Sequence, residues 1–108
     1  MQAPEIFILS ARRTAIGTFG GALKDMPLCD LATTAVKAAL IDSHVEAERI
    51  GHVVMGNVIA TEPKDAYLAR VAAINAGIPK ETPAYNVNRL CGSGLQAIIS
   101  AAHTLQLG

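Results

Sequence analysis

Apolar positions divide this chain into short continuous runs and longer helical stripes. "IFIL" (6–9) is a continuous apolar run with β propensity, the pattern of a strand buried on both faces. "RRTAIGTFGGAL" (12–23) follows, with three glycines between Gly17 and Gly21, and reads as a loop. From Leu28 the apolar residues fall at 28, 31, 32, 35, 36, 39 and 40, which predicts a helix ending near Ser43. "HVVMGNVIAT" (52–61) predicts a second strand, with Gly56 marking a weak point or a close backbone approach. In "TEPKDAYLARVAAINAGIP" (61–79) a loop leads into an Ala-rich helix, closed by Gly77 in a left-handed conformation and by Pro79 two positions later. "PAYNVNRL" (83–90) alternates as a third strand, and a third helix opens around Cys91 to Ser93 and runs to Leu107. Strands alternating with helices predict an α/β layered fold, and 108 residues allow one compact domain.

The last helix departs from the pattern of the others. From Cys91 to Gly108 there is no Asp, Glu, Lys or Arg, yet Gln96, Ser100, His103, Thr104 and Gln106 make it a poor membrane span. Leu95, Ile98, Ile99, Ala102 and Leu105 form one apolar stripe, while Ala97, Ser100, Ala101 and Thr104 line another side with small groups. A helix uncharged all round is buried all round. Three strands and two other helices do not suffice to cover it, so further chain or a second chain is expected to pack on it.

Composition narrows the function classes. Hydrophobic residues make up 51% of the chain with 4% aromatic and no Trp, so the core is built from small aliphatic side chains. Nine Lys and Arg balance nine Asp and Glu, which leaves no basic field for nucleic acid or anionic lipid. Cys29 and Cys91 fit no zinc spacing and no disulfide framework. The start "MQAPEIFILSARR" carries neither a signal-peptide core nor a membrane span. The expectation is a cytoplasmic protein in a reducing compartment.

The candidate chemistry lies in "NVNRLCGSGL" (86–95), where a cysteine stands at a strand-to-helix corner. Unpaired backbone N–H groups and the positive end of the helix dipole favour a negative charge there, and the thiolate is the form that attacks carbonyls. Gly92 and Gly94 flank Ser93 and leave room for a substrate close to the backbone, whose N–H groups suit a developing oxyanion. Covalent acyl transfer through a thioester on Cys91 fits this corner; a buried structural thiol is the alternative. Cys29, beside the stripe of the first helix, reads as a core or rim thiol. His103 lies twelve positions beyond Cys91 in sequence, about 18 Å along a helix, and so is not its base. His44 and His52 read as solvated, and Arg12, Arg13 and Arg89 either serve an anionic substrate or form structural pairs. Ser93 is not a nucleophile elbow, and the glycines near Gly20 lack the residues of a phosphate-binding loop.

"NVNRLCGSGLQAIISAAHTLQLG" resembles the acyl-enzyme signature of the thiolases, and "ARRTAIGTFGGALKD", "GNVIATEP" and "ARVAAINAGIP" resemble the family's preceding segments in the same order. The likeness spans essentially residues 1–108 and is strongest to acetyl-CoA acetyltransferases and bacterial β-ketothiolases. Ala15 stands where many members carry proline. The resemblance implies a thiolase-like layered α/β/α fold, of which these residues are an incomplete N-terminal half. It implies Cys91 as the nucleophile that takes an acyl group from acyl-CoA, with its own N–H in an oxyanion hole. The family reaction is reversible condensation of two acetyl-CoA to acetoacetyl-CoA, or thiolysis of 3-ketoacyl-CoA. No metal or redox cofactor is implied, CoA thioesters are the substrates, and a homodimer or homotetramer is the usual assembly. The family's activating histidine and second cysteine belong to later "GHP" and "CxGxG" type segments that do not occur here, so the 108 residues alone are expected not to turn over. Two other readings are a non-catalytic thiolase-like interaction or acyl-carrying module, and a synthase that condenses acyl groups from a carrier protein.

Overall fold

The computed structural model describes residues 2–108. Three helices and two strands follow one another as α1 (Leu28–Ser43), β1 (Val53–Gly56), α2 (Leu68–Asn75), β2 (Ala84–Val87) and α3 (Ser93–Leu107), with short 3-10 turns at Ala47–Arg49 and Pro63–Tyr67. β1 and β2 pair in parallel, Val53 opposite Ala84 and Gly56 opposite Val87, so α2 lies in the crossover that parallel neighbours require.

Side chains alternate across a strand, and the two faces of β1 take different cover. Val53 packs with Ala69, Ala73 and Ile78 of the α2 region, and Val36 and Leu40 of α1 close over this cluster with Met55 and Ala84. Ala69 and Ala73 are fully buried; their small side chains let α2 lie close on the sheet. The opposite face receives α3, through Ser93 and Ala97, both buried, with Ser100, Ala101 and Thr104 half-buried. The result is the expected α/β/α layering.

Helix ends follow the sequence signals. α1 stops at Ser43 with His44 left-handed (φ 56°). After α2, Gly77 has φ 91°, its N–H donates to the Ile74 carbonyl (3.1 Å) and the Ile78 N–H reaches the Ala73 carbonyl (2.9 Å). This is the double bond of a Schellman end, with Ile78 and Ala73 both in the core.

Three expectations are corrected. Residues 6–9 form no strand, and Phe7, Ile8 and Leu9 are exposed, because no strand among the described residues lies alongside to complete a ladder. That segment is tied to α1 instead: the Ser10 hydroxyl donates to the Ala39 carbonyl (2.8 Å), and Arg12 pairs with Asp42. The strands expected at 52–61 and 83–90 shorten to four residues each, since β1 ends where Gly56 meets α3 and β2 ends where the chain turns toward Cys91.

Asp65 is a buried carboxylate that the pattern of apolar positions did not single out. Its Oδ2 accepts the Thr61 N–H (2.8 Å), the Thr61 hydroxyl (2.7 Å) and the Glu62 N–H (3.0 Å), and its Oδ1 faces the Cys29 thiol at 3.6 Å. The Thr61 hydroxyl holds the Asp65 carboxyl below the usual range; burial opposes this, and the two backbone N–H bonds and the Cys29 thiol add to it. A depressed native pKa contributes stability that is present above the unfolded value and lost as pH falls through the native one. The fold should therefore lose thermal stability as pH falls below about 4, the ordinary Asp value, and Asp65→Asn should melt lower at neutral pH with a shallower acid dependence. Melting curves across that range check this; identical slopes for both proteins would refute it.

Candidate active site at the strand-to-helix corner

The corner is built by backbone and short polar side chains. After β2, the Asn88 Oδ1 accepts the Leu90 N–H (2.9 Å), an Asx turn that bends the chain out of the strand. Leu90 is left-handed, with φ 49°. The Gly92 N–H returns to the Arg89 carbonyl (3.0 Å) and the Ser93 N–H to the Leu90 carbonyl (3.1 Å), and α3 begins at Ser93. The Ser93 hydroxyl accepts the Arg89 N–H (2.8 Å) and donates to the Leu90 carbonyl (2.6 Å). Cys91 thus sits in the turn rather than in the helix, two residues ahead of its first helical position.

Gly56 seats this corner on the sheet. A Cβ there would lie 2.7 Å from the carbonyl carbon and oxygen of Ser93 and 2.9 Å from the Gly94 nitrogen, all backbone atoms with no side chain to yield. A Cβ at Gly94, by contrast, meets nothing within 4 Å, so the space beside Gly94 itself is open.

The two thiols differ. Cys91 is exposed, and its sulfur has no hydrogen-bond partner among the described residues. The Cys91 and Gly94 amides have no backbone acceptor there either. Cys29 is fully buried; burial pushes its thiol pKa up, and the hydrogen bond to Asp65 and that carboxylate's charge push it further. Cys29 is a core thiol, and the corner thiol is the one a reagent reaches.

The remaining candidates disperse. His103 is exposed on α3, His44 ends α1, and His52 stands edge-on to Tyr85 with ring centroids 5.4 Å apart. Arg12 is paired with Asp42, Arg13 donates to the Thr14 carbonyl (3.0 Å) and Arg89 to the Gln96 side chain (2.6 Å), as structural partners would. No group of three or more metal-ligating side chains occurs among the described residues, and no helix there is long and apolar enough to cross a membrane.

The family described as Thiolase, N-terminal domain, matches residues 6–108. The chain belongs to the thiolase family. It is 57% identical to the beta-ketothiolase BktB of Cupriavidus necator over 104 residues, which cover 96% of this chain and 26% of that protein. It is 45% identical to the human mitochondrial 3-ketoacyl-CoA thiolase over 100 residues, 93% of this chain and 25% of that one. The crystal structure of the human enzyme in complex with CoA superposes with a TM-score of 0.91 at 44% identity, over 94% of this chain and 26% of the human one. This thiolase segment thus spans about a quarter of the length of these relatives.

Two outcomes follow for the thiolase corner. Iodoacetamide at neutral pH should label Cys91 and leave Cys29 unmodified until the protein is denatured, as peptide mass mapping will read; native labelling of Cys29 would contradict its burial. Gly56→Ala should cost about 1–3 kcal/mol, the range for overpacking, measured by denaturant unfolding; an unchanged midpoint would mean that β1 and α3 do not approach as described.

Proposed function

We propose that Cys91 is the nucleophile of an acyl transfer between coenzyme A thioesters, in a thiolase of which this chain forms the N-terminal domain. The observation that carries the reading is an exposed thiol without a hydrogen-bond partner, at a strand-to-helix corner inside the segment matched by that domain family. The Cys91 sulfur attacks the thioester carbonyl, a carbon–sulfur bond to Cys91 forms, and the bond to the CoA sulfur breaks. The proton of the Cys91 thiol ends on the departing CoA thiolate. The unbonded Cys91 N–H suits the oxyanion of the tetrahedral intermediate. In condensation the acyl group then passes to the α-carbon of a second acetyl-CoA as its α-proton goes to a base, a carbon–carbon bond forms and the Cys91 sulfur leaves. In thiolysis Cys91 instead attacks the 3-keto carbonyl of a 3-ketoacyl-CoA, and the bond between its C2 and C3 breaks. C2 takes up a proton to leave as acetyl-CoA, and the acyl group then passes to the sulfur of free CoA. This exchange between thioesters calls for no metal or redox cofactor.

CoA is the ligand named for the human relative's structure, and we take CoA thioesters as the substrates here. His103 is too far along α3 to serve as base, so residues 2–108 hold Cys91 without its proton acceptor and do not turn over alone. Leu95, Ile98 and Leu105, large apolar side chains left exposed on α3, support a longer or oligomeric assembly, a dimer or tetramer. A reducing interior such as the cytoplasm keeps Cys29 and Cys91 as free thiols.

The test is a chimera in which this chain replaces the segment of the Cupriavidus necator beta-ketothiolase that it matches. The chimera should cleave acetoacetyl-CoA in the presence of CoA, and Cys91→Ser should lower kcat/KM at least about a thousandfold, as loss of a covalent nucleophile does. Thiolysis retained by Cys91→Ser would overturn the assignment. Acylation of Cys91 without turnover would favour an acyl-carrying module.

A further inference from the structure

Leu90, the residue before the proposed nucleophile, adopts a backbone conformation that its own side chain does not favour. At φ 49° it lies in the left-handed region, where a residue other than glycine is disfavoured by its Cβ. Packing does not hold it there, since Leu90 is 68% exposed. Polar contacts hold it from both sides. The Asn88 Oδ1 takes its N–H (2.9 Å), and its carbonyl receives both the hydroxyl (2.6 Å) and the N–H (3.1 Å) of Ser93. Ser93 is 4% exposed, and its oxygen also accepts the Arg89 N–H (2.8 Å), so the hydroxyl spans the two residues ahead of Cys91. A strained residue persists only where its surroundings over-determine it, and such residues gather at active sites.

The peptide plane gives this clamp a chemical consequence. The Leu90 carbonyl and the Cys91 N–H belong to one planar trans peptide, so they point in opposite directions. With the carbonyl drawn toward Ser93 at the start of α3, the Cys91 N–H is turned away from the helix, where it has no backbone acceptor. We propose that Ser93 and Asn88 are positioning residues for the acyl transfer, holding Leu90 left-handed so that the Cys91 N–H faces the substrate oxyanion. This rests on Cys91 being the nucleophile. Without the clamp Leu90 relaxes toward negative φ, the plane rotates, and the oxyanion loses a donor while the thiol remains accessible.

Two reactions of the same sulfur separate that role from a general structural one. Acetylation by acetyl-CoA passes through a tetrahedral oxyanion; alkylation by iodoacetamide forms a carbon–sulfur bond as iodide leaves and has no oxyanion. In the chimera, Ser93→Ala should slow single-turnover acetylation of Cys91 about tenfold or more, toward the loss seen when an oxyanion donor is removed, with the alkylation rate within about twofold of the parent. Asn88→Ala, at an exposed position, should slow acetylation in the same selective way. Adding Leu90→Gly to Asn88→Ala should recover most of the rate, because glycine takes positive φ at no steric cost while Ser93 still holds the carbonyl. Parental acetylation by Ser93→Ala, equal slowing of both reactions, or no recovery with Leu90→Gly would each overturn the proposal. If Ser93→Ala does not fold, the Asn88 and Leu90 pair decides alone. Acetylation that persists in Cys91→Ala would instead refute the nucleophile itself.

Discussion

The close approach of two backbones, the end of β1 at Gly56 and the start of α3 at Ser93 and Gly94, is the constraint on which the rest of the site depends. Only a residue without a Cβ lets the strand and the helix meet at this separation. The helix then starts against the sheet, and the chain leaving β2 must turn sharply to reach it. That turn holds Cys91. The place of the thiol in that turn is therefore a product of sheet-to-helix packing, while the Asn88 and Ser93 contacts on Leu90 set the plane of its amide.

The same contact explains the two sides of α3. Ser93, Ala97, Ser100, Ala101 and Thr104 face the sheet, and their small side chains let the helix stay close along its length after Gly56 has brought its first turn in. The large apolar residues Leu95, Ile98 and Leu105 point elsewhere and stay exposed. A soluble monomer rarely leaves such a stripe open. α3 thus supports the Cys91 corner on one side and offers an apolar face for further structure on the other. On the opposite side of the sheet, Cys29 and Asp65 join α1 to the loop before α2, so this thiol is part of the packing.

Much of this was legible in the sequence, for identifiable reasons. α1 followed its apolar period to Ser43, and Gly77 marked the end of α2, because both signals are local. The Cys91 corner was legible because a strand pattern, a cysteine and flanking glycines adjoin one another. Gly56 reads in the sequence as either a weak point or a close approach, because its partner, the first turn of α3, lies 37 positions on and has no local mark. The run at 6–9 misled because an apolar strand pattern states only what a segment can bury, while a strand also needs a neighbour. Asp65 escaped because a single acidic residue in a loop looks solvated until the Thr61 and Glu62 amides and the Cys29 thiol converge on it. The Ser93 clamp was hidden for a different reason: Leu90 gives no sign in the sequence of a left-handed backbone.

The central claim is that a corner seated on Gly56 presents Cys91 as an acyl acceptor with its own amide beside the reacting carbonyl. The most direct measurement is a crystal structure of the chimera with the Cupriavidus necator enzyme, frozen after a brief soak in acetyl-CoA. The account predicts an acetyl group bonded to the Cys91 sulfur, its oxygen within hydrogen-bond distance of the Cys91 N–H. A free Cys91 beside an acetyl group on another residue, or an acetyl oxygen turned away from that amide, would contradict it.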